Sequence, residues 1–97
     1  MNSAEAASPH SASSIIIIPA LEPAQTLVKY VHDLRARGFS QIVVVDDGSS
    51  PACAGIFNSL AELRDCVVLR HEVNRGKGAA LKTALRHCLQ QGWQRLY

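Results

Sequence analysis

The stretch QIVVVDDGSS, residues 41–50, decides the fold. The continuous apolar run from Ile42 to Val45 is typical of a strand that is covered on both faces of a sheet. Aspartate is rare in strands and costly to bury without a partner, yet Asp46 and Asp47 follow this run at once. In open parallel sheets, ligands bind beyond the carboxyl ends of the strands. We therefore predict a buried strand, Gln41–Val45, that ends at the mouth of a binding site.

Two further apolar runs and three amphipathic segments flank this strand. In chain order they predict a strand at Ser14–Ile18, a helix from about Pro23 to Gly38, a helix after Pro51, a strand at Cys66–Leu69 and a helix from Lys77 to Gln91. Pro19 is expected to end the first strand, and Ser49 or Ser50 to cap the second helix. Strands that alternate with such helices pair in parallel through right-handed crossovers. The predicted fold class is α/β, a three-layer parallel sheet of order β-α-β-α-β-α.

The composition is that of a small globular domain, and it excludes several classes of function. The 97 residues are 47% hydrophobic and 19% charged, which is close to average usage, and the net charge is +2. Only 5% are aromatic and no basic patch stands out, so we expect no nucleic-acid partner. The three cysteines lack the spacing of metal ligands, which indicates reduced thiols and no metal site in this chain.

The ends of the chain predict a leader and an unfinished sheet. Residues 1–13 are small and polar and are expected to be a disordered leader before a domain at residues 14–97. Trp93–Tyr97 looks like the approach to a fourth strand, so we expect the front part of a truncated, longer domain. Exposed edges of such a sheet favour self-association. The leader lacks a basic secretory start, and Ile15–Ile18 is far shorter than the ~20 residues of a membrane span, so we expect a cytoplasmic protein.

Asp46 and Asp47 are expected to do different work, because neighbouring residues of a strand point to opposite faces. One carboxylate can accept hydrogen bonds from a ligand, while the other accepts backbone N–H groups and holds the turn. The loops PALE, residues 19–22, and HEVNRGKG, residues 71–78, follow the neighbouring strands and converge on the same rim. The alternative is that both aspartates only shape the turn and cap the next helix, since Asp before Gly-Ser is common in turns.

The segment NRGKG, residues 74–78, carries two cations at the start of a helix. A cation at the positive end of the helix dipole costs about 0.3–1 kcal/mol, which applies to Arg75 and to Lys77. An anion bound at the helix start would make the two cations favourable instead. The alternative is a solvated basic pair in a flexible turn. The spacing excludes a P-loop, because His71 occupies the position of its first glycine, and Gly78 follows Lys77 where a P-loop needs Ser or Thr. A dinucleotide fingerprint is weak, because Leu81 takes the place of its third glycine.

Two other α/β families carry acidic residues after a strand and do not fit this pattern. Phosphatases of the haloacid dehalogenase type have Asp-x-Asp, whereas Asp46 and Asp47 are adjacent. Response-regulator receiver domains need a phosphorylatable Asp at the end of the third strand, where this chain reads LRHE, residues 69–72. The four histidines show no ligand spacing.

Three motifs in order resemble the family-2 glycosyltransferases, which have the GT-A fold, and most of all their polyprenyl-phosphate sugar transferase branch. IIIIPALEP, residues 15–23, is similar to the family's I-I-P-x-x-N-E opening, with Leu21–Glu22 in place of Asn-Glu. IVVVDDGSS, residues 42–50, is similar to V-V-D-D-G-S, and HEVNRGKGAAL, residues 71–81, to N-x-G-K-G-x-A-x. The resemblance covers residues 14 to about 89 and implies the N-terminal, nucleotide-binding half of a GT-A domain.

By this resemblance the rim is a nucleotide pocket. The resemblance implies that the pocket is lined by Pro19, Ala20 and Glu22. It implies that Asp47 hydrogen-bonds the base, with Asp46 as the alternative. Arg75, Gly76 and Lys77 would lie beside the nucleotide. The family's Asp-x-Asp and its catalytic base are expected beyond Tyr97. No catalytic or metal-binding residue is therefore predicted within this chain.

The resemblance also implies what the full enzyme does. It would be an inverting glycosyltransferase that moves a sugar from a UDP- or GDP-linked donor to a lipid-phosphate or glycan acceptor, with Mg²⁺ or Mn²⁺ bridging the diphosphate. A lipid acceptor would make it peripheral to the inner face of a membrane. The 97-residue chain is expected not to transfer sugar on its own. The alternative, from another class, is a non-catalytic nucleotide-binding or receiver-like regulatory module.

Overall fold

The computed structural model describes residues 14–92. In this range the elements are, in chain order, β1 (Ile15–Ala20), α1 (Thr26–Ala36), β2 (Gln41–Asp47), a 3₁₀ turn (Pro51–Cys53), α2 (Ala54–Ala61), β3 (Cys66–His71) and α3 (Lys77–Gln90). The predicted leader, residues 1–13, and the predicted approach to a fourth strand, residues 93–97, lie outside the described residues. The order confirms the predicted alternation of strands and helices.

β2 is the central strand of the described sheet. The strand order is β1-β2-β3, and both pairings are parallel. In register, Val44 lies between Ile18 and Val68. All four residues from Ile42 to Val45 have no exposed surface. A strand with a neighbour on each side and helices over both faces has no face left for water, which explains the unbroken apolar run.

Helices cover both faces of the sheet, as the predicted three-layer fold requires. Alternate side chains of β2 point to opposite faces. One cluster of buried residues joins Val44 to Val31 of α1 and Leu60 of α2. The other joins Val43 to Ala84 of α3. Hence α1 and α2 lie on one face and α3 on the other. Among residues 14–92, no helix combines the length and the apolar character that crossing a membrane would require.

All three strands extend beyond their predicted ends. β1 continues through Pro19, so the prediction that this proline ends it is wrong. In the described sheet β1 is an edge strand, and an edge strand tolerates a residue that lacks a backbone N–H. β2 includes Asp46 and Asp47, which pair in register with Arg70 and His71 of β3. The ladder therefore carries both aspartates to the rim and fixes what lies beside each of them.

The predicted start of the first helix and the predicted side-chain cap of the second are wrong. α1 begins at Thr26 rather than near Pro23, because the segment before it forms a loop that is tied to the end of β2. Ser50 precedes the 3₁₀ turn, but its side chain makes no capping hydrogen bond. Its hydroxyl donates instead to the carboxylate of Glu22 at 3.0 Å. A hydrogen bond to a carboxylate is charge-assisted, and this one joins the Ser50 side chain to the loop after β1.

The three cysteines are free and buried, which agrees with the prediction of reduced thiols. Burial raises the pKa of the Cys66 thiol to about 11. Burial also raises the pKa of Cys88, and burial together with the nearby Glu22 carboxylate raises that of Cys53. A thiol with a raised pKa is little ionised at neutral pH and reacts slowly. We therefore treat these thiols as core residues.

Candidate functional site

The carboxyl ends of β1 and β2 and the start of α3 enclose a cleft of about 630 Å³. Its lining residues are Ile17, Pro19, Ala20, Leu21, Asp47, Asn74, Gly76, Lys77 and Leu81. Five of the eight residues predicted for a site are among them, namely Pro19, Ala20, Asp47, Gly76 and Lys77. The structure therefore brings together three loops that are far apart in the sequence, while Glu22, Asp46 and Arg75 lie outside this lining.

Asp47 is the most highly bonded side chain of the cleft. It is 4% exposed, and its Oδ1 accepts the Arg75 backbone N–H at 2.9 Å and lies 2.8 Å from Nδ1 of His71. Its Oδ2 accepts the Gly76 backbone N–H at 2.9 Å. These donors, the Arg75 N–H first and His71 next, lower the pKa of Asp47. The carboxylate is therefore ionised at neutral pH, and it holds the loop that leads into α3.

His71 is a residue of the site that the sequence patterns did not reveal. It ends β3 and is 7% exposed. Its Nδ1 faces Asp47, and its Nε2 lies 2.7 Å from the hydroxyl oxygen of Thr83 on α3. The imidazole thus connects the end of the sheet to the helix above it. The signal that could have found it is the strand register, which pairs the last residue of β2 with the last residue of β3.

Asp46 points to the opposite side of the sheet and stabilises the turn that follows β2. Its Oδ1 accepts the Ser49 backbone N–H at 2.9 Å. Its Oδ2 lies 3.8 Å from Nε of Arg70, whose side chain is largely exposed, so this ion pair adds little stability. Asp46 lines a second cleft of about 370 Å³, on the α2 face, together with Phe57 and Asn58. Both aspartates accept backbone N–H groups, but of different loops. That one of them contacts a ligand stays a prediction.

Glu22 ties the loop after β1 to the loop after β2. Its backbone has a φ of 49°, which is uncommon for a residue other than glycine. Its N–H donates to Oγ of Ser49 at 2.9 Å, and its carboxylate accepts both the backbone N–H and the hydroxyl of Ser50. The Ser50 N–H is the main cause of the lowered pKa of Glu22. Glu22 therefore braces the rim of the cleft from outside.

Comparison with known proteins shows the family of the chain. The model of glycosyl transferase family 2 matches residues 15–93. The chain belongs to glycosyl transferase family 2. An uncharacterized protein of Methanocaldococcus jannaschii, MJ1222, is 34% identical over 74 residues, which are 76% of this chain and 29% of that protein. The chain thus spans less than a third of the length of this curated relative. No solved structure matches the chain.

Family membership and topology together identify the part of the fold. Three parallel strands with interleaved helices are consistent with the N-terminal half of the GT-A domain of family-2 glycosyltransferases. In this half the cleft lies beyond the carboxyl ends of the strands, where open α/β sheets bind their ligands. The motifs that resemble the family therefore surround the cleft and do not lie at the amino-terminal ends of the strands.

The described residues of this family-2 chain do not fit a divalent cation. Within residues 14–92, no group of three or more His, Cys, Asp or Glu side chains is arranged to hold a metal ion. Asp46 and Asp47 are the carboxylates nearest the clefts, and both already accept protein N–H groups. Hard cations need several free oxygen ligands. Residues 14–92 therefore do not form a site for such a cation.

The stability of this domain should fall in acid because of Asp47 and Glu22. Both carboxyls have a lowered pKa in the folded protein, so folding favours their ionised forms. Their contribution to the free energy of unfolding is complete above about pH 5, and it is lost as the pH falls through their pKa values in the folded protein. We expect the free energy of unfolding, measured with urea between about pH 6 and pH 3, to fall less steeply in Asp47→Asn than in the wild type.

A matched control separates this effect from the general acid response. Asp33→Asn removes an exposed carboxylate of α1 and should keep the wild-type dependence on pH. If the free energy of unfolding depended on pH equally in the wild type and in Asp47→Asn, Asp47 would not be stabilised in its ionised form.

Proposed function

We propose that the cleft binds the nucleotide of a sugar donor, and that the chain is the donor-binding part of an inverting glycosyltransferase. The observation that carries the proposal is the position of Asp47. It is an ionised acceptor, fixed by three protein donors, and it lines a cleft between the two loops that resemble the family's nucleotide-binding motifs. The donor would be a UDP- or GDP-linked sugar.

Three of the cleft residues have a proposed task. Asp47 accepts a ring N–H of the base through Oδ2, the oxygen with fewer partners. Lys77 supplies positive charge toward the diphosphate. The Gly76 N–H is not available to an anion, since it donates to Asp47 and to Oδ1 of Asn74. We assign Gly76 to loop geometry instead.

Three residues predicted for nucleotide contact take indirect tasks in this proposal. Glu22 braces the loop after β1 through Ser50. Arg75 serves Asp47 through its backbone N–H, while its side chain lines a different pocket beside His71. Asp46 holds the turn after β2. Substitution of Glu22 should therefore disturb the loop after β1 rather than remove a ligand contact. Substitution of Arg75 keeps the backbone N–H that Asp47 accepts, and substitution of Asp46 affects the turn beside the second cleft.

The remaining parts of the reaction are proposals for residues outside the described range. The acceptor would be a lipid phosphate or a glycan, with the polyprenyl-phosphate branch as the closest motif resemblance. Mg²⁺ or Mn²⁺ would be held by the expected Asp-x-Asp beyond Tyr97, and it would lower the charge on the leaving diphosphate. A cytoplasmic protein, peripheral to the inner face of a membrane, fits such an acceptor. No observation favours the receiver-like module over this function.

A titration with UDP, followed by ¹H–¹⁵N NMR spectra of the 97-residue chain, tests the proposed cleft. We expect the amide resonances of Ala20, Gly76 and Lys77 to shift and to saturate. Those of Ala54 and Asn58 in the second cleft are the internal control and should stay in place. Shifts confined to the second cleft, or no shift at millimolar UDP, would contradict the proposal.

A further inference from the structure

Asp47 has one acceptor position left for a ligand. Each carboxylate oxygen has two lone pairs, so the group can accept about four hydrogen bonds. Oδ1 takes two donors, the Arg75 N–H and Nδ1 of His71, and Oδ2 takes one, the Gly76 N–H. Among the described residues, these contacts leave one lone pair, on Oδ2. A ligand in the cleft therefore meets a carboxylate that offers a single acceptor.

His71 keeps the other oxygen occupied. The imidazole is buried between Asp47 and Thr83 and has a partner on each ring nitrogen. With Nδ1 protonated, it donates to Oδ1 of Asp47 while Nε2 accepts the Thr83 hydroxyl. A ring held at both ends cannot turn away without losing both contacts. His71 is thus a positioning residue that acts through Asp47.

Asn74 adds a donor to the same cleft. Its Oδ1 accepts the Gly76 N–H at 2.9 Å, which fixes the orientation of the side-chain amide. The amide NH₂ group is then the part of Asn74 that remains to donate. Asn74 and Asp47 both line the cleft, so a planar ligand meets one acceptor and one donor.

We infer that this cleft reads a single N–H of the base and selects uracil over guanine, an inference that rests on the proposed function. Uracil has one ring N–H between two carbonyl groups, so it matches one acceptor beside a donor. Guanine presents its ring N–H and its 2-amino group side by side, and this pair needs both oxygens of a carboxylate. With Oδ1 occupied by His71 and Arg75, the 2-amino group has no carboxylate oxygen to donate to.

Calorimetric titrations of the 97-residue chain with UDP, GDP and IDP test the inference, because IDP is GDP without the 2-amino group. We expect UDP to bind roughly tenfold more tightly than GDP, and IDP, which has no 2-amino group to leave unpaired, to bind several fold more tightly than GDP. GDP binding more tightly than IDP or UDP, or as tightly as both, would overturn the inference and leave the proposed function standing. Failure of all three nucleotides to bind would instead contradict the proposed function.

Two variants test the part played by His71. His71→Leu removes the donor from Oδ1, so GDP should gain affinity relative to IDP by several fold. A purely structural role would weaken binding of both nucleotides alike. Thr83→Val is the matched control, because it removes the outer partner of His71 but leaves Oδ1 occupied, and its GDP to IDP ratio should stay near that of the wild type. An unchanged ratio in a folded His71→Leu protein would contradict the role. If that variant does not fold, the wild-type comparison of GDP with IDP still decides.

Discussion

Replacing Asp47 by alanine is expected to weaken UDP binding by about tenfold to a hundredfold, which is the range for losing a charged hydrogen-bond partner. The change removes the proposed acceptor for the base. It also leaves the backbone N–H groups of Arg75 and Gly76 without their carboxylate, so the loop that forms one wall of the cleft loses its anchor. Isothermal titration calorimetry on the 97-residue chain gives the dissociation constants directly.

Asp46→Ala is the matched control for this prediction. It removes the neighbouring carboxylate of the same strand, but that group faces the second cleft and holds only the turn at Ser49 and a weak contact to Arg70. We expect UDP affinity within about threefold of the wild type and a smaller fall in Tm than for Asp47→Ala. Equal and small effects of both substitutions on binding would favour the view that the two aspartates only shape the turn.

Replacing Gly48 by alanine is expected to destabilise the domain more than replacing Gly38 by alanine does. Gly48 has a φ of 81°, and a β-carbon there would collide with the backbone nitrogen of Asn74 and lie 2.5 Å from the carbonyl carbon of Val73. The left-handed conformation alone disfavours alanine by about 1–2 kcal/mol. The collision adds to this, because both obstacles are backbone atoms of the loop that Asp47 holds in place.

Gly38→Ala isolates the conformational part of that effect. Gly38 has a φ of 100°, and a β-carbon there meets nothing within 4 Å. We expect thermal unfolding to show a fall in Tm of about 5–10 °C for Gly38→Ala and at least twice that for Gly48→Ala. Similar falls for the two variants would mean that the loop after β3 can move aside, and that its close approach to Gly48 is not required.

The central part of the fold was predictable because it depends on periodicity along the chain. The unbroken run from Ile42 to Val45 requires cover on both faces, and the helical stripes between the strands supply it. Local rules failed where position in the sheet overrides them. The local rule predicts that Pro19 ends the strand, but β1 is an edge strand of the described sheet, and an edge strand tolerates a residue without a backbone N–H.

The parts of the site that escaped prediction depend on contacts between distant residues. Glu22 meets Ser50, 28 residues along the chain, and it accepts the hydroxyl that the local sequence suggested as a helix cap. His71 meets Asp47 because the register of β2 and β3 places their last residues side by side. No spacing rule contains that information, since register depends on how the strands pack. The motifs predicted where the site lies, and the register determines what each aspartate contacts.

A crystal structure of the chain with UDP bound would show whether Asp47 receives a ring N–H of a nucleotide base in the cleft beside α3. We expect uracil N3 within hydrogen-bond distance of Oδ2 of Asp47, with His71 still against Oδ1 and Lys77 toward the phosphates. A nucleotide bound beside Asp46 in the second cleft, or a uracil in the first cleft that does not touch Asp47, would contradict it.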